Sequence, residues 1–142
     1  MRKIYKNFFT EEEAKLVEKL DTHTNAVTLA NKYPFNKVLK TIRKDFNVAP
    51  VQQSFFNVEQ KSKGHKWHKD TGTSNHMMWC RVGGSIILQA GSGGDTYYAD
   101  DDKETNKVKS ERGLYDLVLH TSDEWHMVEP NDGNRKVLLI FI

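Results

Sequence analysis

After Pro50 the sequence loses its helical periodicity and breaks into short segments rich in β-branched and aromatic residues, separated by Gly, Asp, Asn and Pro. This change constrains the fold more than any other feature of the chain. The pattern predicts strands over 51–60, 67–70, 85–90, 96–99, 115–120, 126–128 and 136–142. Gly91-Ser92-Gly93-Gly94 has the composition of a turn, and residues 129–134 that of a longer hairpin connection. So many short strands imply a mainly β fold, a sandwich or jelly roll.

The N-terminal third reads as helical. Thr10-Glu11-Glu12-Glu13 has the spacing of a capping box, and Ala14, Val17 and Leu20 follow on one helical face. A second helix is predicted over about residues 36–46, with Val38, Leu39, Ile42 and Phe46 as its apolar stripe and Pro34 just before its start. Both helices are expected to cover one sheet face. The 142 residues fit a single domain, with 1–50 as helical support and 51–142 as the β core.

Hydrophobic residues make up 37% and charged residues 28%, the balance of a soluble globular protein. A net charge of +2 is too small to argue for a nucleic-acid partner, which usually needs a concentrated basic face, so nucleic acid is not expected. No apolar run is long enough for a bilayer, and none follows the basic start Met1–Lys6, so neither membrane insertion nor secretion is expected. Cys80 is the only cysteine, which excludes an internal disulfide and favours a reducing, cytoplasmic setting. Asp100-Asp101-Asp102-Lys103-Glu104 reads as a solvated loop, without the oxygen spacing of a calcium site.

His68-Lys69-Asp70 places two ligand-type side chains two positions apart. On a strand both point to the same face. A histidine from another strand would complete two imidazoles and a carboxylate on one side of an ion, the set that suits non-haem Fe(II) because neighbouring coordination positions stay open. Such a dipeptide pattern also arises by chance on a surface. The C-terminal end adds to it. His126-Met127-Val128-Glu129-Pro130 is followed by Gly133-Asn134-Arg135 and an apolar strand, so that His126 would face Arg135 across the hairpin. Arg135, Val137, Leu139 and Phe141 share one strand face. If that face is interior, the guanidinium needs an anion. No acid sits at a matching position, which makes a ligand carboxylate the candidate, held by two parallel hydrogen bonds. The plain alternative is an exposed Arg135-Lys136 pair beside a turn.

Taken in order, these segments resemble the Fe(II)/2-oxoglutarate oxygenases, and within them the prolyl 4-hydroxylase-like group. The matching pieces are His68-x-Asp70, Arg81 leading into an apolar strand, and Gly93-Gly94-Asp95-Thr96-Tyr97-Tyr98. Gly113 before a strand follows, and then His126-x-Val128-x-Pro130 with Gly133-x-Arg135. The resemblance covers residues 51–142 and implies a double-stranded β-helix. It implies iron bound by His68, Asp70 and His126, and Arg135 paired with the distal carboxylate of 2-oxoglutarate. It implies hydroxylation of a C–H bond with O2, with succinate and CO2 as co-products and ascorbate as a possible activator. Related halogenases lack the metal-binding carboxylate, so Asp70 points to hydroxylation. The chain departs from the group in having no tyrosine in residues 85–89, and in carrying His65 where many members have a tyrosine three residues before the first ligand.

The expected substrate is a proline-containing peptide or protein, through chemistry like that of procollagen-proline 4-dioxygenases. The alternatives are a free amino acid or other small metabolite, or a cupin-like jelly roll that binds metal or sugar without catalysis. Oxidative nucleic-acid demethylation is disfavoured, because such relatives carry a second arginine beyond the Arg135 position. Arg81, Trp67 and His65 are the candidate substrate contacts, with a surface ion pair the other reading for Arg81. His65-x-x-His68 could suggest zinc, but on a strand the two would face opposite ways. His120 is expected to be structural, and Trp67 and Trp125 are expected to pack. His76 is expected on the surface or in an entrance loop over 71–78.

Overall fold

The computed structural model describes residues 1–20, 23–71 and 77–142. The elements run β1 (Arg2–Tyr5), α1 (Glu11–Glu18), β2 (Thr24–Asn25), a 3₁₀ turn (Val27–Leu29), α2 (Phe35–Phe46), β3 (Phe55–Glu59) and β4 (His65–His68). They continue with β5 (Val82–Gln89), β6 (Thr96–Ala99), β7 (Val108–Lys109), β8 (Leu117–Thr121), β9 (Trp125–Val128) and β10 (Lys136–Phe141). The fold is mostly β, with two helices and two antiparallel sheets, and is jelly-roll-like. The larger sheet has the order β1-β8-β5-β10-β3-β2 and the smaller β4-β9-β6-β7.

The capping box at the start of α1 is present. Thr10 Oγ1 accepts from the Glu13 amide at 3.1 Å, and Glu13 Oε1 accepts from the Thr10 amide at 2.9 Å. Lys37 of α2 donates to Glu13 Oε2 at 2.8 Å and to the Phe8 carbonyl at 2.9 Å, tying the two helices together. α2 ends at Asn47, whose left-handed backbone (φ 54°) closes the last turn onto the Arg43 carbonyl. Val38, Leu39 and Ile42 of α2 join Phe9, Ala14 and Val17 against one face of the larger sheet, built from Phe56, Ile86, Leu117, Leu119, Leu138 and Ile140.

Strand alternation then decides what the other face holds. Leu138, Ile140 and Ile142 go to the helices, while Leu139 and Phe141 line the space between the sheets. Leu117 and Leu119 go to the helices, and Val118 and His120 turn inward.

The N-terminal third is less purely helical than its sequence suggests. β1 pairs with β8 (Arg2↔His120 to Tyr5↔Leu117) and β2 with β3, so two short strands widen the larger sheet. Their residues carry no alternation long enough to signal a strand alone. β7, two residues long, escapes detection for the same reason. Residues 129–134 are not a hairpin loop. β9 pairs with β4 and β6, whereas β10 pairs with β3 and β5, so this segment carries the chain from one sheet to the other. The 100–104 segment is a mostly exposed loop, as its charge implies.

Candidate metal centre

His68, Asp70 and His126 converge between the sheets. One ligand atom from each can be chosen so that all lie within 4.8 Å of one another. His68 and His126 are directly cross-strand partners in the smaller sheet, with ring centroids 4.2 Å apart. Asp70 lies two residues past the end of β4 rather than within the strand, yet its carboxylate still comes inward. Its Oδ1 is 3.2 Å from His126 Nε2 and 3.8 Å from His68 Nε2.

The imidazoles are oriented by the backbone. His68 Nδ1 donates to the Lys66 carbonyl at 2.6 Å and His126 Nδ1 to the Glu124 carbonyl at 2.9 Å. Carbonyl oxygen only accepts, so Nδ1 carries a proton in both rings; a ring that also holds an Nε2 proton donates it to Asp70, and a ring that has lost it can offer the Nε2 lone pair to a metal. Burial disfavours the charged form of His68, and the neighbouring His126 adds to this, so its pKa falls. Burial acts the same way on His126, but its bond to Asp70 outweighs it and its pKa rises. Burial pushes Asp70 up, but the bonds from His120 and His126 hold it far below the usual carboxylate range. The donor set of two imidazole nitrogens and one ionised carboxylate fits a divalent first-row metal such as Fe(II).

His120 holds the Asp70 carboxylate. Its Nε2 donates to Asp70 Oδ2 at 2.6 Å, and its Nδ1 accepts from the Tyr98 hydroxyl at 2.8 Å. The signal was available in the sequence as a histidine on the inward register of an otherwise apolar strand, β8. Gly83 of β5 is required beside this pair, because a Cβ there would collide with Asp70 Oδ2 and approach His120 Nε2 to 2.9 Å.

His65 also lines the metal cavity, contrary to the expectation that it faces away from His68. A β-bulge between them breaks the two-residue period and returns both rings to one side, 6.0 Å apart. His65 is nevertheless outside the metal-ligand group, since its Nε2 lies 3.0 Å from the Glu59 carboxylate. The cavity wall also includes Ser85, Thr96, Tyr98, Val128, Leu139 and Phe141.

Arg135 is buried, 9% exposed, at the inward start of the last strand, and its stem packs on Gly94, where a Cβ would have no room. Among the described residues it forms no ion pair or side-chain hydrogen bond. An acid is close, however. Glu59 faces inward on β3, next to β10, and its charge supports that of Arg135 against the effect of burial. The expectation of no nearby acid fails because Glu59 comes from a strand 76 residues away in sequence. Arg135, Glu59, His65 and Val128 border a small space adjoining the metal cavity.

Arg81 is exposed, and Trp67 is half-buried outside the cavity wall. Among the described residues Arg81 has no ion pair. Trp125 is half-buried, with Lys69 Nζ 5.3 Å from its ring centroid. His76 and most of the expected 71–78 entrance loop lie outside the described residues.

No protein-family model matches this sequence, and no curated protein matches it. Solved structures do. A prolyl-4-hydroxylase from Pseudomonas putida superposes with a TM-score of 0.70 at 14% identity, covering 99% of this chain and 84% of that one. A viral collagen prolyl hydroxylase from Paramecium Bursaria Chlorella virus-1, solved with 2-oxoglutarate, gives 0.67 at 13%, covering 99% and 93%. The chain has the fold of these oxygenases. A 2OG-Fe(II) oxygenase family oxidoreductase from Burkholderia pseudomallei gives 0.57 at 13%, and there the match covers 80% of this chain and 51% of the other. Among the described residues no helix is long and apolar enough to cross a membrane.

Proposed function

We propose that this chain is an Fe(II)- and 2-oxoglutarate-dependent oxygenase that hydroxylates a C–H bond, with prolyl 4-hydroxylation of a peptide or protein as its reaction. The observation that carries the reading is the meeting of His68, Asp70 and His126 in a cavity that adjoins the space beside a buried arginine lacking a carboxylate in contact. The switching of β3 to β10 between the two sheets supports reading the fold as a double-stranded β-helix, with residues 51–142 as the oxygenase core and 1–50 supporting it. Likeness to two prolyl hydroxylase folds supports the substrate class.

In this reading His68 and His126 would hold iron through Nε2 and Asp70 through Oδ1. Bound iron and 2-oxoglutarate supply the oxidising chemistry, in which 2-oxoglutarate and O2 become succinate, CO2 and one oxygen atom on the target carbon. The residues of the chain supply orientation. Backbone carbonyls fix the tautomers of both histidines, His120 fixes the carboxylate, and Arg135 offers a planar fork to the distal carboxylate of the co-substrate. Asp70 occupies the place that a halide would need, which supports hydroxylation.

The test is mass spectrometry of proline-rich peptides incubated with the protein, Fe(II), ascorbate and 2-oxoglutarate. One added oxygen on proline is expected, with none in Asp70→Gly. Anaerobically, Fe(II) and 2-oxoglutarate should give a weak visible charge-transfer band that Arg135→Ala loses. A wild-type protein with no such band at any co-substrate concentration is a metal-binding jelly roll, not an oxygenase.

A further inference from the structure

A second cavity lies back to back with the metal cavity. It holds about 360 Å³ against about 120 Å³, and Tyr98 and Val118 border both. It sits where the two sheets end. Among the described residues β1 pairs only with β8 and β7 only with β6, so each is an edge strand and no hydrogen-bonded ladder crosses the gap between them. The register of β1 sets Arg2 and Ile4 beside His120 and Val118, on the same inward face. Lys109, Ser110 and Glu111 form the facing rim. Exposure falls from 40% at Ile4, the outer end, to 1% at Val118, the inner end. One layer of side chains therefore separates this solvent-facing space from the metal ligands.

The other walls are closed more firmly. The broad walls are the sheets themselves, and behind β5, β8 and β10 lies the packed core under the helices. The wall at Ser85 and Thr96 is backed by the guanidinium of Arg112, which donates to the Ser85 carbonyl at 2.9 Å, to Ser85 Oγ at 2.8 Å and to Thr96 Oγ1 at 3.3 Å. On the side of β3 and β4 the space beside Glu59 and Arg135 holds only about 10 Å³. The wall at Tyr98 and Val118 is made of side chains alone, and its two members differ. The Tyr98 hydroxyl is bonded to His120 at 2.8 Å, and its ring carries the Arg2 guanidinium at 4.7 Å. Val118 is held by packing, and a packed side chain still hops between rotamers. The rim cations are already paired, Arg2 with Glu124 at 3.5 Å and Lys109 with Asp95 at 3.4 Å. Ile4, Val118 and the Tyr98 ring give the inner end a hydrocarbon surface, which suits a small apolar guest.

We propose that dioxygen reaches the metal through this second cavity, passing Ile4 and then Val118. The inference rests on the oxygenase reading above, in which co-substrate and target fill the metal cavity and leave an incoming diatomic molecule only its walls. Dioxygen is small, uncharged and apolar. A hydrocarbon gap that opens on a rotamer hop admits it and holds back water and carboxylates, which would lose their hydrogen bonds there.

The test uses dioxygen as its own probe. Dissolved O2 is paramagnetic and speeds the nuclear relaxation of methyl groups that it meets. In the chain loaded with Zn(II) and 2-oxoglutarate, the methyls of Ile4 and Val118 should be relaxed by O2 at least threefold more than those of Leu138, which is fully buried under the helices. Ile4→Trp plugs the outer end without entering the metal cavity and should remove the enhancement at Val118. When the anaerobic complex with Fe(II) and 2-oxoglutarate is mixed with O2, the same variant should slow the O2-dependent decay of the charge-transfer band at least fivefold. Its Fe(II) and 2-oxoglutarate affinities should stay within twofold of wild type. Val118→Ala, which thins the wall, should speed the decay. Val118 methyls relaxed no more than those of Leu138 overturn the proposal, and so does a wild-type decay rate in Ile4→Trp. If Ile4→Trp does not fold, the relaxation comparison and Val118→Ala decide. A wild-type chain that forms no band with Fe(II) and 2-oxoglutarate overturns the oxygenase reading and this proposal with it, whereas a normal band with unrelaxed Val118 methyls overturns this proposal only.

Discussion

His120 grips the side of the Asp70 carboxylate that faces away from the two other histidines: its Nε2 is 2.6 Å from Oδ2, while Oδ1 is left to His126 and His68. One oxygen is thereby held by the protein and the other is presented to an ion. Partners of this kind are commonly worth 10–100-fold in metal affinity. His120→Leu should therefore weaken Fe(II) or Mn(II) binding by about that factor in a direct titration. Tyr98→Phe, which removes the hydroxyl that fixes the His120 tautomer, should have a smaller effect in the same direction. Wild-type affinity in both variants would mean that the relay does not tune the site.

Gly83 should be intolerant of even the smallest side chain. A methyl group there would occupy the position of Asp70 Oδ2, and the neighbouring ring of His120 closes off retreat. Gly83→Ala should lose metal affinity at least as severely as His120→Leu. Gly113→Ala is the control, because a Cβ at that position meets only Asp116 Oδ2 at an ordinary 3.9 Å. Comparable metal binding in the two glycine variants would show that Asp70 can be repositioned at no cost.

That His68, Asp70 and His126 meet, and that Arg135 turns inward, was legible from the sequence, because residues two apart in an extended chain share a face. What was not legible came from long-range pairing and from irregularity. The bulge between His65 and His68 reverses a parity argument that holds only for a regular strand. Glu59 and Arg135 meet only once β3 and β10 are adjacent, and Arg112 sits outside any named strand with no periodic signal to mark its side chain as inward. β1 and β2 are too short to announce themselves and exist because the sheet offers them an edge.

The junction of the helices should respond to acid in a defined direction. Burial raises the Glu13 carboxyl, but its bonds to Lys37, Tyr33 and the Thr10 amide outweigh that and leave it below its ordinary value of 4.5. A carboxyl with a lowered folded-state pKa stabilises the fold above its unfolded pKa, and that stability is lost as pH falls through the folded value. Glu13→Gln should thus reduce the midpoint of urea unfolding at pH 7, with the gap to wild type narrowing below about pH 4.5 as both carry a neutral group. Thr10→Ala, which removes the other half of the cap, should cost about 1 kcal/mol. A gap between wild type and Glu13→Gln that widens toward low pH would contradict the sign.

Adjacent leucines in β10 should separate stability from ligand binding. Leu138 is fully buried under the helices, whereas Leu139 faces the metal cavity. Leu138→Ala should cost about 2–5 kcal/mol of stability, as expected for a large-to-small change in a packed core. Leu139→Ala should cost less, because its side chain already borders open volume, and should alter 2-oxoglutarate affinity more than the unfolding midpoint. Equal destabilisation by the two changes would argue against the alternation that places one face of this strand in the core and the other in the site.

Glu59 should act as a brake on anion binding at Arg135. Burial raises its carboxyl, yet the bond to His65 more than offsets this and keeps it ionised at neutral pH. Its negative charge therefore stands beside the guanidinium that an incoming carboxylate must reach. The space there is about 10 Å³, at the lower end of what a single water needs. Glu59→Gln keeps the shape but removes the competing charge, and should tighten 2-oxoglutarate binding several-fold in anaerobic calorimetry. His65→Ala should enlarge the space while leaving the Glu59 charge, so that Arg135 turns toward Glu59 and 2-oxoglutarate binding weakens. Weaker binding in Glu59→Gln would reverse the argument, because it would mean that the pair holds His65 in the orientation the co-substrate requires.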